Sequence, residues 1–191
     1  MLARPWPRGE RIRSPWGYRT HPISGKRKLH RGVDVAYDGE IYAPADGVVV
    51  HKGADLNKRS GGGYVLILRH ESPKVWTVYY HLREPSHLLK GTRVKRGEVI
   101  GHTGTTGAST GVHLHFETRK SRAWGSDFNP ESILSGEHAS ETPATSPVRP
   151  SQPVPAHKPR LFKPMKIYGI SGQHKRDDVR AVNRWRRGRD G

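Results

Sequence analysis

Five side chains of this sequence have the types and spacing for metal-assisted hydrolysis. They are His30 and Asp34, four positions apart, His81 within Tyr79-Tyr80-His81-Leu82, and His113 and His115 on either side of Leu114. In a β-strand, residues two apart share a face, so His113 and His115 would project together beside Glu117 while Leu114 faces a packed side. Two imidazoles so placed compete for protons, a conflict that a metal ion or a division of roles relieves. Asp34 can complete a set of two His and one carboxylate. Such a set suits Zn²⁺, for which imidazole nitrogen and carboxylate oxygen are ordinary ligands, with a fourth position left open. The chain has no Cys, which excludes thiolate ligation, thiol catalysis and a disulfide framework, and it has no HExxH. Spacing alone does not say which histidines would be ligands.

The elements that must position these residues read as strands. Short branched and aromatic runs, Gly47–Val50, Tyr64–Leu68, Val75–Tyr80 and Val112–Glu117, sit between glycine-containing turns without a long amphipathic helix. That pattern predicts an all-β fold, a mixed or antiparallel sheet with sandwich-like layering. Ser86–Leu89 reads as a single helical turn before Gly91. Alternation lets only one of Tyr79 and Tyr80 line a site with a neighbour of His81. Glu117, on the face of His115, is placed to take the spare ring N–H or to form a strand-edge ion pair. Gly104–Gly111 leads into a strand rather than a helix, which argues against a phosphate loop and for a groove wall or a tight connection. His21, His51, His70, His87 and His102 are expected to be structural or surface residues.

Composition sets the outer limits. The chain has 191 residues, 32% hydrophobic, and its 22 Gly bring the apolar share near the low end of the globular range, enough for one ordinary core. Net charge is +17, which favours polyanionic surroundings. No helix-turn-helix, zinc finger or ribonucleoprotein motif makes nucleic acid a primary partner, and no apolar run approaches the ~20 residues that span a bilayer. Residues 1–10 are expected as an N-terminal arm, 11–135 as the β domain, 136–165 as a linker with seven Pro, and 166–191 as a basic tail with a short helix over Lys175–Arg187. Met1–Arg8 shows no apolar leader, so delivery outside the cytoplasm by another route is expected.

With these stretches in order, the sequence resembles the M23 peptidoglycan endopeptidases, the lysostaphin/LytM-like group. The resemblance rests on Arg11–Pro22, His30-Arg31-Gly32-Val33-Asp34, Tyr79–Leu82, Gly97–Gly101, Gly104–Glu117 and Asn129-Pro130, and covers roughly residues 11–131. It implies one Zn²⁺ per chain held by His30, Asp34 and His115, with His81 and His113 as catalytic residues. It further implies hydrolysis of peptide cross-links, with stem peptides or cross-bridges of the bacterial wall as substrate and action in the wall or periplasm. The alternative is a non-catalytic wall-binding or virion structural module of the same fold. The glycines Gly61-Gly62-Gly63 depart from the usual Gly-aromatic-Gly pattern. Lys26-Arg27-Lys28 and Lys58-Arg59 make the expected groove basic, which fits substrates carrying carboxylates. A domain of this kind with a proline-rich, basic end fits a phage virion component, tethered through residues 136–191 to a tail or capsid protein; host-cell lysis is the next expectation.

Overall fold

The central strands of the chain are hydrophobic on both faces, and this dictates the layering. In the computed structural model, which describes residues 1–21, 24–57 and 61–141, the strands in chain order are β1 (Leu2–Arg4), β2 (Ile12–Ser14), β3 (Gly17–Thr20), β4 (Arg27–His30), β5 (Val33–Val35), β6 (Glu40–Tyr42) and β7 (Gly47–Ala54). They continue with β8 (Tyr64–Glu71), β9 (Lys74–Leu82), β10 (Arg93–Val94), β11 (Val99–His102), β12 (Leu114–Arg119), β13 (Asp127–Phe128) and β14 (Leu134–His138). Two single 3₁₀ turns, Pro130–Ser132 and Ala139–Glu141, are the only helical segments among the described residues.

The main sheet runs β10-β7-β8-β9-β12-β5-β2 and is antiparallel throughout, with β13 paired to the far half of β12. Period-two alternation sorts its residues. Leu66, Leu68, Tyr79, Leu114, Phe116, Val33 and Val35 point to one side and pack with Ile41, Ile100, Leu88 and Trp6 in the larger core. Ile41 and Ile100 belong to the two-stranded β6–β11 sheet, so that sheet covers this face and gives the sandwich-like arrangement. Val65, Ile67, Val78 and Tyr80 form a second, smaller cluster on the opposite side. The all-β expectation holds.

Four local features differ from the sequence reading. Ser86–Leu89 forms no helical turn; Ser86 Oγ donates to Ile100 O and accepts from Leu88 N–H, which holds the segment in a bend. The last long strand begins at Leu114, and His113 makes only an isolated bridge to Gly104. Residues 1–10 are no free arm: Leu2, Ala3 and Trp6 are buried, because apolar side chains next to an open core edge are drawn into it. The boundary expected at residue 135 falls inside β14, which pairs in parallel with β1, while His138 Nδ1–H donates to Trp6 O at 2.9 Å. The proline-rich stretch beyond Glu141 and the expected basic helix lie outside the described residues.

Candidate metal centre and groove

The register of β12 builds the site. Its neighbours across the ladder place Asp34 on one side of His115 and Tyr80 on the other. Leu114, Phe116, Val33 and Val35 are fully buried in the core, so His115 and Asp34 necessarily face the other way, into a groove of about 610 Å³. His30 arrives from the end of β4, the last residue of a hairpin whose register opposes Gly17 to His30 and Arg19 to Lys28. Gly32 lets the turn from β4 to β5 lie against β12. A Cβ there would come within 2.4 Å of Phe116 O and 2.9 Å of His115 Nε2.

His30 Nε2, Asp34 Oδ1 and His115 Nδ1 meet at 3.0, 3.0 and 2.7 Å from one another. The other nitrogen of each ring is committed elsewhere. His30 Nδ1–H donates to Pro15 O at 2.8 Å, and His115 Nε2–H donates to Glu117 Oε1 at 3.3 Å. Those acceptors have no proton to give, so in the neutral rings they fix the tautomers and leave two nitrogen lone pairs aimed at one carboxylate oxygen. Three converging lone pairs repel unless a proton or a metal cation lies among them. A tetrahedral Zn²⁺ with bonds of ~2.0–2.1 Å holds its donors about 3.3 Å apart, a few tenths of an ångström wider than the spacing here. The donor set therefore fits zinc in type, number and geometry.

In the metal-free chain a proton takes the place of that cation. Burial disfavours the charged form of His115, yet hydrogen bonds to Asp34 and Glu117 outweigh it and raise its pKa to about 9. Burial likewise works against the Asp34 carboxylate, but hydrogen bonds from His115 and His30 hold it well below the usual carboxylate range. Arg19 Nη2 donates to Asp34 Oδ2 at 3.0 Å. Glu117 Oε1 accepts from His115, and its Oε2 is bound by Arg119 Nε at 2.7 Å in a buried pair within the interior strand β12, not at a strand edge. Arg119 also donates to Tyr80 OH at 2.7 Å, tying together buried polar groups of β9 and β12.

His81 and His113 face this cluster without joining it. Their ring centroids are 4.8 Å apart, and His81 lies 6.1 Å from the ring of His115. His113 Nε2 is 3.8 Å from Asp34 Oδ1, while its Nδ1–H donates to Gly111 O at 2.9 Å. His81 Nδ1–H donates to Thr106 O at 2.8 Å. Burial pushes the His81 pKa down to about 4, opposed only in part by that hydrogen bond. The backbone of His81 has φ of 62°, a left-handed conformation uncommon for any residue but glycine. It is held there by His81 N–H on Gly62 O and by Thr106 Oγ1 on Leu82 O. Strain of this kind persists only where surrounding contacts over-determine it.

All five residues singled out from the sequence thus come together in one groove. Of the adjacent pair, Tyr80 lines it and Tyr79 is buried in the core. Ala108, Ser109 and Thr110 form part of its wall, as expected for the glycine-rich run. His70 is a fully buried structural residue, bonded to Asp46 O and Thr77 Oγ1. His21 lines the groove rim. Sequence reasoning gave no role to Arg19, Arg119, Thr106 or the carbonyl of Pro15. The register of β3 against β4 was the one signal that would have turned Arg19 toward Asp34.

The profile of peptidase family M23 matches residues 28–130. The DD-carboxypeptidase/endopeptidase Mpg of Neisseria meningitidis serogroup B is 43% identical over 125 residues, 64% of this chain and 27% of that protein. The chain thus matches about a quarter of the length of that curated relative. Among solved structures, a zinc-containing peptidase from Vibrio cholerae is similar at a TM-score of 0.52 and 34% identity, covering 61% of this chain and 36% of that one. The catalytic domain of lysostaphin from Staphylococcus simulans gives 0.60 at 27% identity, covering 69% and 97%. More than half of the chain lies within the matched profile, and within that span fall every converging histidine and the one carboxylate among them: the chain belongs to peptidase family M23.

Proposed function

We propose that the chain is a zinc-dependent endopeptidase that hydrolyses peptide cross-links of bacterial peptidoglycan. The observation that carries this reading is the convergence of four imidazoles and one carboxylate, each imidazole having its outward nitrogen bound to a protein acceptor. His30, Asp34 and His115 would hold the metal. Zn²⁺, when bound there, acidifies a coordinated water and polarises the scissile carbonyl. His81 and His113 do the proton work. Burial keeps His81 neutral at neutral pH, and Thr106 O engages its Nδ1–H, so Nε2 offers the lone pair that accepts a proton from attacking water. His113 presents Nε2 from beside Asp34, where its N–H can stabilise charge developing on the carbonyl oxygen. As the new C–O bond forms and the C–N bond breaks, the imidazole that took the proton returns it to the leaving amine.

Substrate class is supported by the likeness to Mpg and by an open groove rimmed by the exposed aromatics Tyr18 and Trp124. Digestion of purified wall should yield new peptide termini and no new reducing sugar ends, read by mass spectrometry, and chelation should stop it until zinc is restored. Asp34→Ala and His115→Ala should lose the metal by elemental analysis. His81→Ala and His113→Ala should keep it while kcat falls about 10²–10⁴-fold. Full zinc in the first pair, or near-normal turnover in the second, overturns these assignments. Action in the cell wall or periplasm follows from the substrate. Delivery by a phage particle, tethered through residues 136–191 to a virion protein, is supported by the proline-rich, basic composition of that segment. Proteomics of purified particles tests it.

A further inference from the structure

The groove has more positive charge than its own carboxylates neutralise. Arg19, Arg27, Lys28 and Arg31 line it, against Asp34 and Glu117. Arg31 is paired with Asp127 at 2.5 Å, and Glu117 with the buried Arg119. Asp34 divides itself between Arg19 and the imidazole cluster. Among the described residues, no carboxylate pairs with Arg27 or Lys28; Arg27 rests 5.6 Å from the ring centroid of the exposed Tyr18.

Strand geometry gives this excess a direction. Lys28 stands directly across the β3–β4 ladder from Arg19. Two residues before His30 on the same strand, it shares that residue's face, the one turned to the donor cluster. Like charges directly opposite in a ladder are unfavourable. Arg19 also has a buried Nε–H with no acceptor among the described residues. Lys28 is exposed, so its charge is hydrated until a ligand fills the groove. Filling it expels that water, and a negative group brought there would then form a charge-assisted contact in a lower dielectric.

We infer that the β3–β4 hairpin carries a carboxylate subsite, with Lys28 as its principal cation and Arg27 at its rim, which selects wall peptides bearing a free carboxylate beside the scissile amide. The inference rests on the endopeptidase reading above and deepens it. A cross-link made through a diamino diacid has such a carboxylate on the carbon that bears the scissile nitrogen. A cross-link made through the side chain of lysine or through glycine has none there.

Two synthetic peptides that differ only at this group, free acid in one and carboxamide in the other, test the subsite on the full zinc-loaded chain. The free acid should be favoured in kcat/KM by about ten-fold or more, chiefly through KM. Lys28→Ala combined with Arg27→Ala should bring the ratio within about two-fold, and Lys28→Arg should restore most of it. Lys90→Ala combined with Arg93→Ala removes an equal charge outside the groove and should keep the ratio. Equal cleavage of both peptides by the unaltered chain, or a ratio unchanged by loss of Lys28 and Arg27, overturns the subsite and leaves the endopeptidase reading standing. If neither peptide is cut, calorimetry on the same pair decides. Tighter binding of the free acid, lost with Lys28, keeps the subsite and overturns the endopeptidase reading, whereas equal binding overturns both.

Discussion

His115 is held between two carboxylates, Asp34 at Nδ1 and Glu117 at Nε2, and the second is anchored by Arg119. Glu117 therefore orients the ring and increases its basicity as a ligand. Glu117→Gln should weaken zinc affinity by about 10–100-fold, measured by competition with a chelator, with a smaller loss of kcat once zinc is saturating. His81 makes a different prediction. Its folded pKa of about 4 lies below the ordinary 6.5, so on acidification the unfolded chain takes the proton first. Its contribution to stability is complete above about pH 6.5 and is lost as pH falls toward 4. Thermal melting of metal-free protein should decline across that window, with buried His70, also lowered by burial, contributing to the slope. His81→Asn neither titrates there nor resists a left-handed backbone, and should flatten part of the decline. The five site residues were legible because their types and spacing are themselves the chemistry. Arg119 was not, because its role depends on where Tyr80 and Glu117 lie across the ladder.

Positioning of the two outer histidines falls to the loops that meet beside β9. Gly62 lies so close to Tyr80 that an added Cβ would sit 2.0 Å from the ring, and its carbonyl holds the backbone of His81. Gly62→Ala should cost about 1–3 kcal/mol by overpacking, seen as a lower melting temperature, and should lower kcat further by shifting His81. Gly107, at φ of 77°, comes within 2.4 Å of Gly63 N in the same terms, which locks the groove wall to the glycine run. Sequence placed the central strands correctly but drew them short. β7, β8 and β9 extend to Ala54, Glu71 and Leu82 because ladder pairing continues past the apolar residues that reveal a strand. Ser86–Leu89 failed as a helical turn for a related reason: the hydroxyl of Ser86 found a partner in Ile100, fourteen residues further along the chain.

Across the whole molecule, the first and last described strands close on each other, with Leu2 opposite Leu134 and Arg4 opposite His138. Composition could not reveal this, since a three-residue strand has too little periodicity to read and its partner lies far along the chain. A chain ending after Glu141 should keep its zinc, its melting temperature and, within a factor of about two to three, its kcat on a short peptide, because every assigned group lies between His30 and His115. A chain ending after Ser135 loses buried His138 and Ala139 and should melt at least several degrees lower. One further property follows from the acceptors that fix the imidazoles. Three of the four are main-chain carbonyls, of Pro15, Thr106 and Gly111. Any amino acid supplies a carbonyl, so what these positions require is the path of the chain rather than the identity of the side chain. Gly111, where an added Cβ meets nothing within 4 Å, accordingly has room for a methyl group, and Gly111→Ala should leave the acceptor of His113 Nδ1–H where it is.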